Sequence, residues 1–288
     1  MTVDAHHHLW DLDERDQPWI GPQDSVLRRD FLPADLLAAL AGTGVGSTVL
    51  VQTVAAPEET PEMLVLADTV DRVGAVVGWV DLTARDARER IGQLLAHPSG
   101  GWLRGIRHPV EFEDDPRWLA RTDVLDGLAA VEDAGLVYEL LVRPHQLPAA
   151  VRAVREFPQL TFVLDHCGKP PVAAGGAEVE EWERGVRQLA EHGNVACKFS
   201  GLVTAAGVAD PGAPVPPEKF AEVLRPHAQV VFDAFGPGRL MFGSDWPVCL
   251  LAADYRQVLD VADLLSRDLG ESERAALFSR NARQVYEL

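Results

Sequence analysis

The stretch Val3-Asp4-Ala5-His6-His7-His8-Leu9-Trp10 decides the fold. It begins as a β-like run and ends on three imidazoles, where an open nucleotide-binding sheet would place a glycine-rich turn after its first strand. Downstream, short β-branched runs alternate with longer Ala/Leu/Arg-rich amphipathic stretches, the pattern of βα units on a parallel sheet. The runs are Val3 to His8, Thr48 to Thr53, Ala75 to Leu82, Leu103 to His108, Val137 to Val142, Thr161 to His166, Val195 to Ser200 and Arg239 to Asp245. Helical patterns lie between them at Ala34 to Leu40, Pro61 to Val73, Ala87 to Ala96, Val124 to Ala134, Leu147 to Glu156, Glu180 to Glu191 and Phe220 to Val231. Pro33 suits a first helical turn, and Gly42 and Gly135 suit helix ends. These elements predict an α/β chain folded as one (β/α)8 TIM barrel over residues 1–288, slightly distorted, with long loops at the C-terminal face. The last stretches, Tyr255 to Leu265 and Glu271 to Tyr286, are expected to pack outside the final strand.

Composition sets the outer bounds. The chain has 288 residues, is 47% apolar and carries a formal charge of −18, which favours a large core and excludes a basic footprint for nucleic acid or an anionic membrane. No apolar run approaches the roughly 20 residues of a membrane span. The polar amino terminus has no secretory leader, so a soluble cytoplasmic protein with a small-molecule partner is expected, and a homo-oligomer is allowed. Cys167, Cys197 and Cys249 form no CxxC pair, which argues against a disulfide framework or a zinc ribbon.

In a barrel the chemistry gathers where strands end. His6 and His8 share a face because residues two apart do, and with Val3 alternating outward both imidazoles point inward. A purification-tag remnant is the bland alternative, but only three His occur and the strand pattern continues through them. His166 ends Thr161-Phe-Val-Leu-Asp-His166, and Asp245 ends Arg239-Leu-Met-Phe-Gly-Ser-Asp245. A carboxylate after Leu-Met-Phe is costly to bury unless paired or used; its bland alternative is a helix cap ahead of Pro247. Arg107 and His108 end the fourth run and can hold substrate oxygens, or an acidic loop instead. Lys198, buried by its neighbours, can donate to substrate, form a Schiff base or make a structural ion pair.

The ordered set DAHHHLWD (4–11), GIRHP (105–109), LDHCGKP (164–170), CKFSGL (197–202) and FGSDWP (242–247) resembles the amidohydrolase superfamily in its amidohydrolase-related branch. More closely it resembles the sugar lactonases of that branch, acting on fuconolactone and rhamnonolactone, and the relative that opens a pyrone dicarboxylate lactone. The matches run from Asp4 to Pro247. Binuclear members carry a bridging Lys or Glu on strand four and a His on strand five. Here strand four offers Arg107 and His108, and strand five reads VYELLV (137–142), so the resemblance implies a site that is not binuclear. It implies His6, His8, His166 and Asp245 as the catalytic set, acting bare or as ligands of a single divalent cation, zinc being the first choice.

The expected reaction is ring-opening of an aldonolactone to its acid. Asp245 takes the proton of the attacking water, the imidazoles polarise the carbonyl as donors or through the cation, and Arg107, His108 and Lys198 hold substrate oxygens. Trp19 and Trp246 are placed against the C–H side of the sugar ring. The Gly/Pro-rich segment 204–219 suits either a lid or a rigid connection. A metal-dependent decarboxylase is the rival enzyme, and a sugar-binding barrel without catalysis is the rival from another class.

Overall fold

The computed structural model describes residues 1–208 and 215–288. Eight strands, β1 (Thr2–His7), β2 (Val45–Val51), β3 (Val73–Gly78), β4 (Leu103–His108), β5 (Val137–Leu140), β6 (Phe162–Leu164), β7 (Val195–Phe199) and β8 (Leu240–Phe242), pair parallel in chain order. The ring closes just beyond β8, where His8 N–H donates to the Trp246 carbonyl at 2.7 Å and Asp245 N–H donates to the His6 carbonyl at 2.8 Å. The fold is the (β/α)8 barrel that the alternating pattern predicts. Its outer layer is built from α1 (Pro33–Leu40), α2 (Glu59–Thr69), α3 (Ala87–Leu95), α4 (Thr122–Asp133), α5 (Leu147–Glu156) and α6 (Ala177–Ala190). It continues through α8 (Pro217–Phe235), α9 (Tyr255–Leu265) and α10 (Glu271–Ala275), while the short α7 (Leu202–Ala205) follows β7 directly and α11 (Asn281–Tyr286) lies against the inner cluster of the barrel. Among the described residues no helix is long and apolar enough to cross a membrane.

Three departures from the sequence pattern bear on the site. First, Val73, placed at a helix end by its periodicity, opens β3 instead, because the β-branched run Val73 to Val77 belongs to a buried strand. Second, β6 and β8 stop short of their polar residues. The chain turns left-handed at His166 (φ 52°) and Cys167 (φ 54°), and again at Asp245 (φ 58°). A non-glycine residue held there costs of order 1–3 kcal/mol, and such outliers concentrate at functional sites. Third, the alternation in β1 slips by one residue. Asp4 pairs with Thr48 and His7 with Leu50, so three steps on β1 oppose two on β2. This is a β-bulge.

The bulge corrects the expectation for Val3. Val3 and Ala5 belong to the buried cluster of Val49, Val51, Ala75, Val77, Val163 and Met241, which fills the barrel interior. Without the slip, inward Val3 and Ala5 would turn His6 outward. With it, His6 and His8 also reach the interior, and His7 faces the helix layer as expected. The C-terminal segment is a further correction: Tyr286 does not stay outside β8 but tucks under the barrel into that same inner cluster. Segment 204–219 suits a lid or a rigid connection by its composition, and its central part, 209–214, lies outside the described residues.

Candidate active site and metal centre

The bulge is held by Asp4, whose buried carboxylate accepts the His6 N–H at 3.1 Å and the Ser244 N–H at 2.8 Å through one oxygen. The other oxygen accepts the Ser244 hydroxyl at 2.6 Å and the Tyr255 hydroxyl at 2.7 Å. One side chain therefore fixes the backbone beside His6 and beside Asp245. Gly243 permits the approach: a Cβ there would lie 2.8 Å from the His6 Cβ and 3.0 Å from the Ser200 Cβ, closer than side chains pack.

Around Asp245 Oδ1 three imidazole Nε2 atoms converge, from His8 at 3.6 Å, His6 at 3.8 Å and His166 at 3.9 Å. His8 Nδ1 lies 2.7 Å from the Val51 carbonyl, which can only accept, so Nδ1 carries a proton and Nε2 is the atom turned to Asp245. His6 Nδ1 lies 3.4 Å from Asp165 Oδ1, a buried oxygen with no hydrogen-bond partner among the described residues, and 3.0 Å from the Lys198 ammonium, which can only donate. His6 Nε2 lies 3.2 Å from His8 Nε2 and 3.3 Å from Arg107 Nη1. His166 Nδ1 lies 3.0 Å from the Ser200 hydroxyl, which can donate or accept.

Charge follows burial. Desolvation, with Lys198 beside it, holds the His6 imidazolium well below its ordinary pKa, and desolvation lowers His166 as well, so both are neutral. Burial opposes ionisation of Asp245, but His166, His8 and Lys169 outweigh it and keep the carboxyl below the usual range. Two imidazole nitrogens and an ionised carboxylate oxygen gathered this closely form a pocket that a cation would fill. Two imidazoles from one strand end, with an aspartate, are the donor set of a single divalent metal, and the residues fit one.

Beneath this set lies a sealed ionic floor. Lys198 Nζ donates to Glu139 Oε2 at 2.6 Å and lies 3.3 Å from Asp165 Oδ1 and 3.0 Å from His6 Nδ1. Arg107 Nη1 donates to Asp165 Oδ2 at 3.0 Å, and Glu139 Oε1 accepts the Tyr286 hydroxyl at 2.5 Å. Burial opposes ionisation of Asp165, yet Lys198, His6 and Arg107 keep it well below the carboxylate range, while burial pushes Glu139 up to about 7 against the pull of Lys198.

Above the imidazoles a cavity of about 460 Å³ opens at the C-terminal ends of the strands, lined by His8, His166, Asp245, Arg107, Trp19 and Lys169 among others. Of the residues marked by sequence as substrate holders, Arg107 and Trp19 reach it. His108 does not: one residue on from inward Arg107, it faces the helix layer, stacks on Trp118 at 4.2 Å between ring centroids and pairs with Glu113 at 2.8 Å. Lys198 lies under the floor, so the structural ion pair is the reading that fits it, and the Schiff-base reading has no path to substrate. Trp246 packs edge-on against Phe31 at 5.4 Å, one link in an aromatic chain through Trp10 to Trp19 that pins the long first loop. Sequence reasoning missed Asp4, Asp165 and Glu139, each a carboxylate inside an apolar strand run and so a visible burial anomaly. It also passed over Glu111 and Lys169 on the cavity wall.

The amidohydrolase family description matches residues 3–288 of this chain. The chain belongs to the amidohydrolase family. It is 38% identical over 292 residues to an L-fucono-1,5-lactonase of Burkholderia ambifaria, covering 100% of this chain and 96% of the relative. An L-fucono-1,5-lactonase of Burkholderia multivorans is 36% identical over the same shares. A crystal structure of an amidohydrolase from Burkholderia multivorans with bound Zn superposes with a TM-score of 0.91 at 37% identity, covering 100% of this chain and 99% of that one. The fit of this amidohydrolase to a divalent cation thus agrees with a structural relative that holds one.

Proposed function

We propose that this amidohydrolase opens the ring of a neutral sugar lactone to the corresponding acid, with Asp245 as the base for water. The observation that carries the reading is the convergence of three imidazoles on one ionised carboxylate at the base of an open cavity. The two L-fucono-1,5-lactonases support the substrate class.

Asp245 accepts the proton of the attacking water and returns it to the departing ring oxygen, so one carboxylate serves both halves of the hydrolysis. An alkoxide leaves more readily than an amide nitrogen, which suits a site with a single base. His8 directs its Nδ1 proton to the Val51 carbonyl, so Nε2 is the atom it turns to the site. His6, His8, His166 and Asp245 would hold one zinc, which supplies Lewis acidity at the ester carbonyl. Zinc is chosen on the N,N,N,O donor set and on the Zn-bound relative. Trp19 offers an aromatic face to the ring C–H groups, and Arg107 faces substrate oxygens from the floor.

The test is acid release from a panel of aldonolactones, followed with a pH indicator, by the wild type and by Asp245→Asn. Release by the wild type and a loss of about 10²-fold or more in the variant is expected. No release from any lactone by a folded, metal-loaded protein refutes the reading.

A further inference from the structure

We propose that Lys169 and Glu111 form a specificity-determining pair that selects a neutral polyhydroxylated ring over one bearing a carboxylate; this rests on the lactone-opening reading above. Lys169 ends four consecutive residues of positive φ, from His166 to Lys169. The turn that sets His166 at the floor therefore carries Lys169 up the cavity wall. There its ammonium is ion-paired with Glu111 Oε2. The Glu111 side chain is 7% exposed and that of Lys169 35%, so the carboxylate is embedded in the wall and the ammonium lies toward solvent. Glu111 is fixed by its own N–H donating to the Leu141 carbonyl at 3.0 Å, and Arg143 Nε lies 3.8 Å from the same carboxylate oxygen.

Apart from the imidazoles, the ionisable lining of the cavity consists of Asp24, Glu111 and Asp245 with Arg107 and Lys169. Both cations already have a carboxylate, Asp165 for Arg107 and Glu111 for Lys169. Among the described lining residues no cation is left to receive a substrate carboxylate, and Asp24 would repel one. Hydroxyl groups meet a different surface. An ammonium has three N–H donors and commits one to Glu111, so the others can donate to hydroxyl oxygens, while Glu111 can accept a hydroxyl hydrogen. A neutral ring with adjacent hydroxyls satisfies both members of the pair.

The test compares galactono-1,4-lactone with galactaro-1,4-lactone, which carries a free carboxylate, in the wild type, Glu111→Gln and Lys169→Met. The wild type is expected to favour the neutral lactone by about 100-fold in kcat/KM. Glu111→Gln, which frees Lys169 for a carboxylate, narrows that preference about tenfold, and Lys169→Met raises KM for the neutral lactone about tenfold with kcat within about threefold. Calorimetric binding of galactose against galacturonate gives the same comparison without turnover. If the wild type opens neither lactone, the binding preference decides the pair by itself, and the lactone-opening reading is judged on the wider lactone panel. A preference unchanged in both variants, in proteins of wild-type melting temperature and metal content, overturns the proposal.

Discussion

Asp4 on the first strand and Ser244 beyond the last are joined by two hydrogen bonds, N–H to Oδ1 at 2.8 Å and hydroxyl to Oδ2 at 2.6 Å, across 240 positions of sequence. The same carboxylate holds the His6 N–H. It therefore sets the distance between His6 and Asp245 without touching the cavity. In Asp4→Asn the amide NH2 must face one of these donors. Zinc affinity is expected to fall about 10- to 100-fold, as is common when a partner behind a ligand is altered. Competition with a chromogenic chelator measures it; unchanged affinity would show that the strand ends hold their positions without Asp4.

Removal of the cation should reach both activity and stability. Dialysis against a chelator is expected to abolish lactone opening and to lower the melting temperature, since a metal at 100 times its Kd stabilises the folded state by about 2.7 kcal/mol. Added zinc restores both. A metal-free protein with full activity would assign the chemistry to the bare residues.

Lys198 neutralises two carboxylates in the barrel interior, Glu139 and Asp165. Lys198→Met leaves them without that cation, and a loss of about 3–5 kcal/mol is expected in denaturant unfolding, as for other broken buried pairs. Borohydride trapping with keto acids should leave the wild type unlabelled, because no substrate carbonyl reaches Nζ.

His7 gives a pH dependence of definite sign. It is fully buried, neither ring nitrogen has a hydrogen-bond partner among the described residues, and burial with His8 nearby lowers its pKa to about 3. On acidification the unfolded chain takes up the proton first. The stability this residue permits is complete above about pH 6.5 and falls by about 1.4 kcal/mol per pH unit as the pH drops toward 3. In His7→Leu the acid limb of stability between pH 6.5 and 4.5 should be shallower by about one proton's slope. Equal slopes in the two proteins would mean that His7 is solvated in the fold.

Much of the barrel was legible because its signals are local. Leu103 to His108 reads as a strand from neighbouring residue types alone, and Leu147 to Glu156 as a helix from one period. The four converging groups, His6, His8, His166 and Asp245, were legible because polar residues at the ends of apolar runs are costly unless used. His108, Lys198 and Trp246 sat in equally suggestive positions and went elsewhere. Each follows or precedes a residue whose direction is set by contacts with other strands, which no local pattern contains.

Sequence by itself determined the number and order of strands and the chemistry stored at their ends, because apolar periodicity and burial cost act over a few residues. Tertiary structure decided depth and direction: which lysine reaches the cavity, and which face of β1 looks inward. The reason is geometric. A strand alternates with a period of two, so a single inserted residue, the bulge between Asp4 and His7, reverses every side chain beyond it, and only the pairing with β2 and the grip of Asp4 on Ser244 fix where that residue lies.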